Sequence, residues 1–143
     1  MERERFLVRS SGDNPDGTRV GIAKLLELLG NDKNGVIVVP NLKTVKDTML
    51  ATVLGSDLSK QLVKNREITF TDGNKVELCS EQTLKNFKRA DVYLVLWGTE
   101  YIVEDIESLP FWSSFVLVTW TPADAQRWVE SQEVETIYDD DKG

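Results

Sequence analysis

The fold is decided near the amino terminus, where Arg5-Phe6-Leu7-Val8-Arg9 is followed by a polar loop, Ser10 to Gly17, and then by Thr18 to Leu29. The first run is short and apolar, which is typical of a buried strand. The last segment predicts an amphipathic helix, because its apolar residues recur at i, i+3, i+4 and i+7. A strand followed by such a helix is the repeating unit of a parallel α/β sheet. The apolar face consists of Ile22, Leu25, Leu26 and Leu29.

The rest of the chain continues this alternation. Apolar runs predict strands at Val36–Val39, Asp91–Trp97 and Phe115–Trp120. Helical spacing predicts helices from Thr44 to about Leu54, at Gln82–Arg89, at Glu100–Leu109 and from Thr121, with Thr121 as N-cap and Pro122 in the first turn.

One segment departs from the parallel pattern. Glu67–Thr71 and Lys75–Cys79 each alternate polar and apolar residues, and they flank the turn sequence Asp72-Gly73-Asn74. This arrangement predicts an antiparallel hairpin. We therefore expect a three-layer α/β sandwich with a mostly parallel, Rossmann-like central sheet and one inserted β-hairpin.

Composition limits the chemistry. The chain has 143 residues, 41% of them hydrophobic and 29% charged, which is the composition of one globular domain. It has no histidine and a single cysteine, Cys79, which we interpret as a small buried apolar residue. Ser-His-Asp, Cys-His and thiolate-zinc chemistries are therefore excluded.

The net charge of −7 is unevenly distributed, because five of the 24 acidic residues lie between Glu133 and Asp141. We predict a single α/β domain over residues 1–132 and an acidic tail over 133–143, with an edge strand at Val134–Tyr138 as the alternative. This charge argues against direct nucleic-acid binding. No apolar run is long enough to cross a bilayer, and the first five residues lack a signal-peptide pattern, so we expect a cytoplasmic protein without membrane contact.

Candidate ligand sites follow the parallel strands, because open α/β sheets bind ligands at the carboxyl ends of their strands. The loop before the first helix contains two glycines five positions apart, and glycines let the backbone wrap around a phosphate at a helix N-terminus. The alternative is an ordinary connection, with a β-turn at Asn14–Gly17 and Asp16 or Thr18 as helix cap. The predicted phosphate-binding residues are Gly12, Asn14, Gly17, Thr18 and Arg19.

With these residues in place, the chain resembles the P-loop NTPases of the helicase and large-terminase type, whose motif is G-x-x-x-x-G-K-[ST]. Gly12 and Gly17 match the motif, whereas Thr18 stands at the lysine position and Arg19 at the hydroxyl position. The resemblance extends by element order over about residues 5–125. It includes the segment from Val36 to Thr44, the hairpin around Gly73, and a threonine-containing loop at Val118–Pro122.

The resemblance implies a phosphate-binding fold with degenerate motifs. The family ends its acidic strand with Asp-Glu, which holds metal and activates water, but this chain has Leu96-Trp97-Gly98-Thr99-Glu100. Losing the lysine, the hydroxyl and the strand-end acid should abolish efficient hydrolysis.

The carboxylates Asp13, Asp16 and Glu100 are candidate ligands for Mg²⁺, the one cofactor that the sequence suggests. The alternative for Glu100 is that it is an acid favoured by the first turn of a helix.

Aromatic residues stand at two strand ends. Trp97 and Trp120 are predicted either to contact a ligand or partner or to pack in the core. Neighbouring loops add further predicted contacts at Asn41, Lys43, Thr99 and Thr121.

Three functions remain open. The first is a non-catalytic or weakly active module that binds a nucleotide, another phosphate ligand or a protein. The second is an interaction or inhibitory protein that acts through its acidic tail and aromatic surface. The third is a Mg²⁺-dependent phosphotransfer enzyme or hydrolase. The missing motif residues weigh against catalysis.

Overall fold

A computed structural model of the chain describes residues 3–10, 15–29, 33–39, 60–61, 64–69, 74–86, 90–98, 100–109 and 112–139. The strands are β1 Glu4–Arg9, β2 Asn34–Val39, β3 Glu67–Thr69, β4 Lys75–Ser80, β5 Val92–Gly98, β6 Ser114–Thr119 and β7 Glu135–Asp139. The named helices are α1 Pro15–Leu29, α2 Glu100–Glu107 and α3 Gln126–Ser131, with 3-10 helices at Leu84–Asn86 and Pro122–Ala125.

The strands form one seven-stranded sheet in the order β3-β4-β2-β5-β6-β1-β7. Among these strands only β3 and β4 pair in antiparallel fashion, with Ile68 opposite Val76, and all other neighbours in the sheet are parallel. The predicted α/β class, the mostly parallel sheet and the hairpin are confirmed.

Helices cover both faces of the sheet because each central strand alternates apolar residues between them. Helix α1 packs on one face, where Leu25 and Leu29 join Val8, Leu94 and Val118. Helices α2 and α3 pack on the other face, around the buried rings of Tyr93, Phe115 and Trp128. Burying each such side chain contributes about 1.5–3 kcal/mol, so the two cores give the three layers their cohesion.

Helix α1 begins earlier than the apolar pattern predicts. It starts at Pro15, so Asp16, Gly17 and Thr18 lie inside its first turn. The predicted β-turn at Asn14–Gly17 with Asp16 or Thr18 as cap is therefore wrong. Proline is favoured at the first helical position because its fixed φ suits a helix and its missing N–H has no partner there.

Two further helices differ from their predictions. The predicted helix at Gln82–Arg89 is a 3-10 turn at Leu84–Asn86, and residues 87–89 lie outside the described part. Thr121 does occupy an N-cap position, with extended backbone, but its side chain makes no capping hydrogen bond. The predicted helix from Thr44 to Leu54 falls on residues that the structure does not describe.

The acidic C-terminal stretch contributes to the sheet. Glu135–Asp139 forms β7, which pairs with β1, as the edge-strand alternative anticipated. The domain boundary at residue 132 stays a prediction, and residues 140–143 are not described. Within the described residues, no helix has both the length and the apolarity needed to span a membrane.

A polar cluster joins the start of β1 to α2 and α3. The Glu107 carboxylate accepts hydrogen bonds from Arg5 Nε at 2.6 Å, Arg5 Nη2 at 2.9 Å and Trp128 Nε1 at 2.7 Å. Burial raises the pKa of Glu107, but these hydrogen bonds and the positive charges of Arg5 and Arg3 outweigh it and leave the pKa below its usual value. This ionised cluster stabilises the end of the sheet at which the parallel strands begin, opposite to their carboxyl ends.

Candidate phosphate-binding edge

The sheet has a topological switch point between β1 and β6, which are parallel neighbours. After β1 the chain passes to the face covered by α1, and after β6 it passes to the opposite face through Pro122–Ala125 and α3. The two connections therefore part at the carboxyl ends of these strands. Open α/β sheets bind ligands in the crevice that such a divergence creates.

Two hydroxyl residues join the strand ends at this point. Ser10 N–H donates to Thr119 Oγ1 at 3.0 Å, and Ser10 Oγ donates to the Thr119 carbonyl at 3.1 Å. Thr119 Oγ1 in turn donates to the Ser10 carbonyl at 2.8 Å. Both residues are buried, so these bonds hold the carboxyl ends of β1 and β6 together. This pair was not predicted from the sequence, although a hydroxyl residue at the end of each apolar run was a visible signal.

The first turn of α1 packs closely against the end of β1. A Cβ at Gly17 would lie 3.2 Å from both Cβ and Oγ of Ser10 and from Val8 Cγ1. That spacing is tighter than ordinary contact, so glycine permits the close approach here. Thr18 is fully buried in the same turn. The structure thus brings the N-terminus of α1, with its partial positive charge, onto the β1–β6 crevice.

Arg19 is the one predicted phosphate ligand that carries a described cationic side chain. Its Nη1 donates to Asp16 Oδ1 at 3.2 Å, and both side chains are more than half exposed. An exposed pair of this kind contributes about 0–1 kcal/mol, so an anion can displace Asp16 at low cost.

Trp97 is the residue before the last one of β5 and has a strained backbone conformation. Its φ is 58°, in the left-handed region, and the register between β5 and β6 shifts between Leu96 and Gly98, which makes Trp97 the bulged residue. Its ring packs partly into the core on the α1 face and meets Trp120 edge to face, with 6.5 Å between the ring centroids. Trp120 remains 45% exposed. The two predicted tryptophans are therefore adjacent, and one is open to solvent.

The predicted metal ligands are described only in part. Asp16 turns its carboxylate toward Arg19, and Glu100 begins α2, while Asp13 lies outside the described residues. No group of three potential ligands forms a metal site among the residues that the structure covers. Among the other predicted contacts, Thr121 is exposed beside Trp120. Gly12, Asn14, Asn41, Lys43 and Thr99 are not described.

Cys79 is structural. Burial, together with the charge of Glu77, raises the pKa of the Cys79 thiol to about 12. The thiol is fully buried in β4 and stays protonated at neutral pH, so it is not a nucleophile. This confirms its interpretation as an apolar core residue.

Comparison with known proteins identifies the fold. No family model matches the chain, and no curated protein matches it by sequence. The large terminase of a thermophilic bacteriophage superposes with a TM-score of 0.59 at 10% identity over 95% of this chain and 40% of the terminase. A mutant form of the large terminase ATPase domain of a Thermus phage matches with a TM-score of 0.42 at 11% identity, over 84% of this chain and 60% of that one.

The first of these similarities establishes the fold type. The chain shares the α/β fold of the part of this large terminase on which it superposes, and this is the fold type expected from the sequence. It spans less than two thirds of either matched chain.

Proposed function

We propose that this chain is a P-loop-like binding module, catalytically inactive or weakly active, which recognises a phosphate-bearing ligand such as a nucleotide. The observation that carries the proposal is the approach of Gly17 to Ser10, at 3.2 Å for a Cβ, beside the Ser10–Thr119 hydrogen bonds. A helix N-terminus at a switch point supplies N–H donors and positive potential to an anion.

Residue chemistry supports weak or absent hydrolysis. Efficient phosphoryl transfer in P-loop enzymes uses a lysine on the β and γ phosphates, a hydroxyl on Mg²⁺ and a strand-end carboxylate. Here Thr18 is buried in the helix where the lysine belongs, and β5 ends in Trp97 and Gly98 where the carboxylate belongs. These substitutions support a module that binds phosphate at a helix N-terminus and turns it over slowly or not at all.

Arg19 is the residue that we expect to reach the phosphate. Its guanidinium is exposed at the start of the second turn of α1, and its ion-pair partner among the described residues is Asp16. Charge-assisted hydrogen bonds to phosphate are stronger than this solvated pair, so a bound phosphate should replace Asp16 as the partner of Arg19. In this arrangement Asp16 competes with the phosphate for the guanidinium of Arg19.

Calorimetric titration of ADP, ATP and inorganic phosphate into wild type and variants tests this arrangement. Arg19→Ala should weaken binding about tenfold, because it removes a charge-assisted hydrogen bond. Asp16→Asn should tighten binding by about two- to fivefold, because it frees Arg19 and removes a repelling charge. Lys33→Ala is the matched control, because Lys33 is an exposed cation beside the amino end of β2. It therefore lies at the end of the sheet opposite to the proposed phosphate site.

The same titrations with and without Mg²⁺ address the catalytic alternative. If Asp16 binds a phosphate through a metal ion, Asp16→Asn should weaken binding, and only when Mg²⁺ is present. That result would favour the phosphotransfer function. Affinity that is equal in wild type, Arg19→Ala and Asp16→Asn would exclude the first turn of α1 from the phosphate site.

The half-exposed ring of Trp120 favours a second candidate function, recognition of a protein partner through an aromatic surface. Exposed tryptophans are frequent anchors in interfaces. A nucleotide that reaches this corner should change the fluorescence of the wild-type protein more than that of Trp120→Leu, which keeps the neighbouring Trp97. Equal fluorescence changes in both proteins would show that Trp120 does not contact the nucleotide. Recognition of a protein partner would then be the function proposed for its exposed ring.

A further inference from the structure

Trp97 lies on the opposite face of the sheet from the one that strand alternation gives it. In β5, Leu94 and Leu96 point to the α1 face, whereas Tyr93 and Val95 point to the other face. Regular alternation would place Trp97 with Val95. Its ring packs instead against the core on the α1 face, because its positive φ and the register shift after Leu96 redirect the side chain. Bulges of this kind re-aim side chains and are frequent beside functional sites.

The bulge brings Trp97 into contact with Trp120. The two rings meet edge to face, with 6.5 Å between their centroids and 84° between their planes. Trp97 is half-buried, and Trp120 is exposed. An edge-to-face arrangement is one of the favourable geometries of aromatic pairs, so Trp97 holds the ring of Trp120 in place. The result is a solvent-exposed aromatic ring that is supported from the core.

This ring lies next to the proposed phosphate site. Trp120 directly follows Thr119, whose hydroxyl is hydrogen-bonded to the main chain of Ser10. Gly17, in the first turn of α1, packs against Ser10. Trp97 packs on the same face of the sheet as α1. The tryptophan pair and the N-terminus of α1 therefore share one face and the carboxyl end of the sheet.

The spacing of the strands suits an elongated ligand. The first turn of α1 packs against the end of β1, Trp97 lies near the end of β5, and β6 lies between these two strands. Neighbouring strands are about 4.8 Å apart, so the ends of β1 and β5 are separated by about 10 Å. A nucleotide carries its phosphate and its base on opposite sides of a ribose. With the phosphate at the N-terminus of α1, the base can extend along the strand ends to Trp120.

We propose that the ring of Trp120 is a stacking platform for the base of a bound nucleotide, and that Trp97 is the residue that positions this ring. The inference rests on the proposed phosphate site at the N-terminus of α1 and names the ligand class of that site. Every nucleobase has a π face, so stacking on Trp120 favours a nucleotide over a phosphate without a base and does not select one base over another.

Calorimetric titration of AMP and of ribose 5-phosphate into the full chain tests the proposal. The two probes share the phosphate and the sugar, and only AMP carries a base. The wild-type protein should bind AMP about tenfold more tightly, which is the typical effect of stacking one base on an aromatic side chain. Trp120→Leu should lower the affinity for AMP to that for ribose 5-phosphate, which should stay unchanged. Trp120→Phe should keep part of the preference, because a smaller aromatic face remains.

Trp97→Leu tests the positioning role. Loss of the supporting ring should weaken AMP binding by about two- to fivefold and leave the affinity for ribose 5-phosphate unchanged. Nuclear magnetic resonance supplies a direct readout of stacking, since the ring current of Trp120 should shift the base protons of AMP upfield. That shift should be smaller with Trp120→Leu.

Tyr101→Leu is the matched control for loss of an exposed aromatic ring. Tyr101 is 71% exposed on α2, which packs on the opposite face of the sheet. Its substitution should leave both affinities within about twofold of wild type. Circular dichroism of each variant establishes that the fold is intact.

Three results would overturn the proposal. Equal affinity of the wild-type protein for AMP and ribose 5-phosphate would exclude base stacking and leave the phosphate site intact, since both probes would bind. A preference for AMP that persists unchanged in Trp120→Leu would place the base on other residues. Absence of binding of either probe at millimolar concentration would contradict the phosphate site itself, and the stacking platform with it.

Discussion

Trp97 stands in a backbone conformation that a residue with a side chain adopts at a cost, with a φ of 58°. Glycine occupies this region without penalty, whereas other residues lose about 1–3 kcal/mol. Trp97→Gly and Trp97→Ala delete the same ring, so their difference isolates the backbone. We expect Trp97→Gly to be more stable than Trp97→Ala by about 1 kcal/mol in urea unfolding. Greater stability of the alanine variant would mean that the strain is absent.

Glu107 gives a pH-dependent prediction at the same scale. Because the pKa of its carboxyl is lowered in the folded state, the stabilisation is present above the unfolded value of about 4.5 and is lost as pH falls through the folded pKa. Glu107→Gln should cost about 1–3 kcal/mol at pH 7, and progressively less as the pH is lowered from about 5 toward 3.

The control is Glu104→Gln on the same helix. Glu104 also pairs with an arginine, Arg127, at 3.1 Å, but its side chain is 56% exposed. Its replacement should cost less than about 1 kcal/mol at either pH. A pH-independent cost for Glu107→Gln would show that its packing, and not its charge, stabilises the cluster.

Helix α1 approaches the sheet at Gly21. A Cβ there would lie 2.5 Å from Cγ2 of the fully buried Val118 and 3.4 Å from Leu94 Cδ1. Gly21→Ala gains up to about 1 kcal/mol of helix propensity, but overpacking of this kind costs about 1–3 kcal/mol. We expect a net loss of stability in chemical unfolding.

Val118→Ala provides the matched background for that experiment. With both γ-methyl groups of Val118 removed, including the clashing Cγ2, Gly21→Ala should become neutral or stabilising, which gives a coupling energy in the double-mutant cycle. If the effects of the two substitutions on the free energy of unfolding are additive, the cost of Gly21→Ala does not come from contact with Val118.

Strands and helices could be predicted from the sequence where the spacing of apolar residues alone defines them. The runs at Phe6–Val8, Val36–Val39 and Phe115–Val118 are strands because both faces of the sheet are covered, which makes them continuously apolar. The start of α1 was not predictable from period, because its first turn is polar and is fixed by Pro15 and by the fit of Gly17 over Ser10.

At the scale of the whole molecule, the order of the strands in the sheet cannot be predicted from local sequence patterns. The Ser10–Thr119 bonds join residues 109 positions apart, and their proximity depends on β6 lying between β5 and β1. The sequence predicted candidate sites after both strands, but it could not show that the strand ends at Ser10 and Thr119 meet. It also left open whether Trp97 and Trp120 touch, since strand alternation alone does not fix their faces.

The proposed phosphate site lies at the carboxyl ends of β1 and β6. The most direct test is thermal unfolding of the wild-type chain with ADP, ATP, phosphate and sulfate, each with and without Mg²⁺. At 100 times Kd, a ligand adds about 2.7 kcal/mol and raises Tm by several degrees. We predict such a rise for a nucleotide, retained without Mg²⁺ and reduced in Arg19→Ala but not in Lys33→Ala. A Tm that is unchanged by every ligand at millimolar concentration would contradict phosphate binding at the carboxyl ends of β1 and β6.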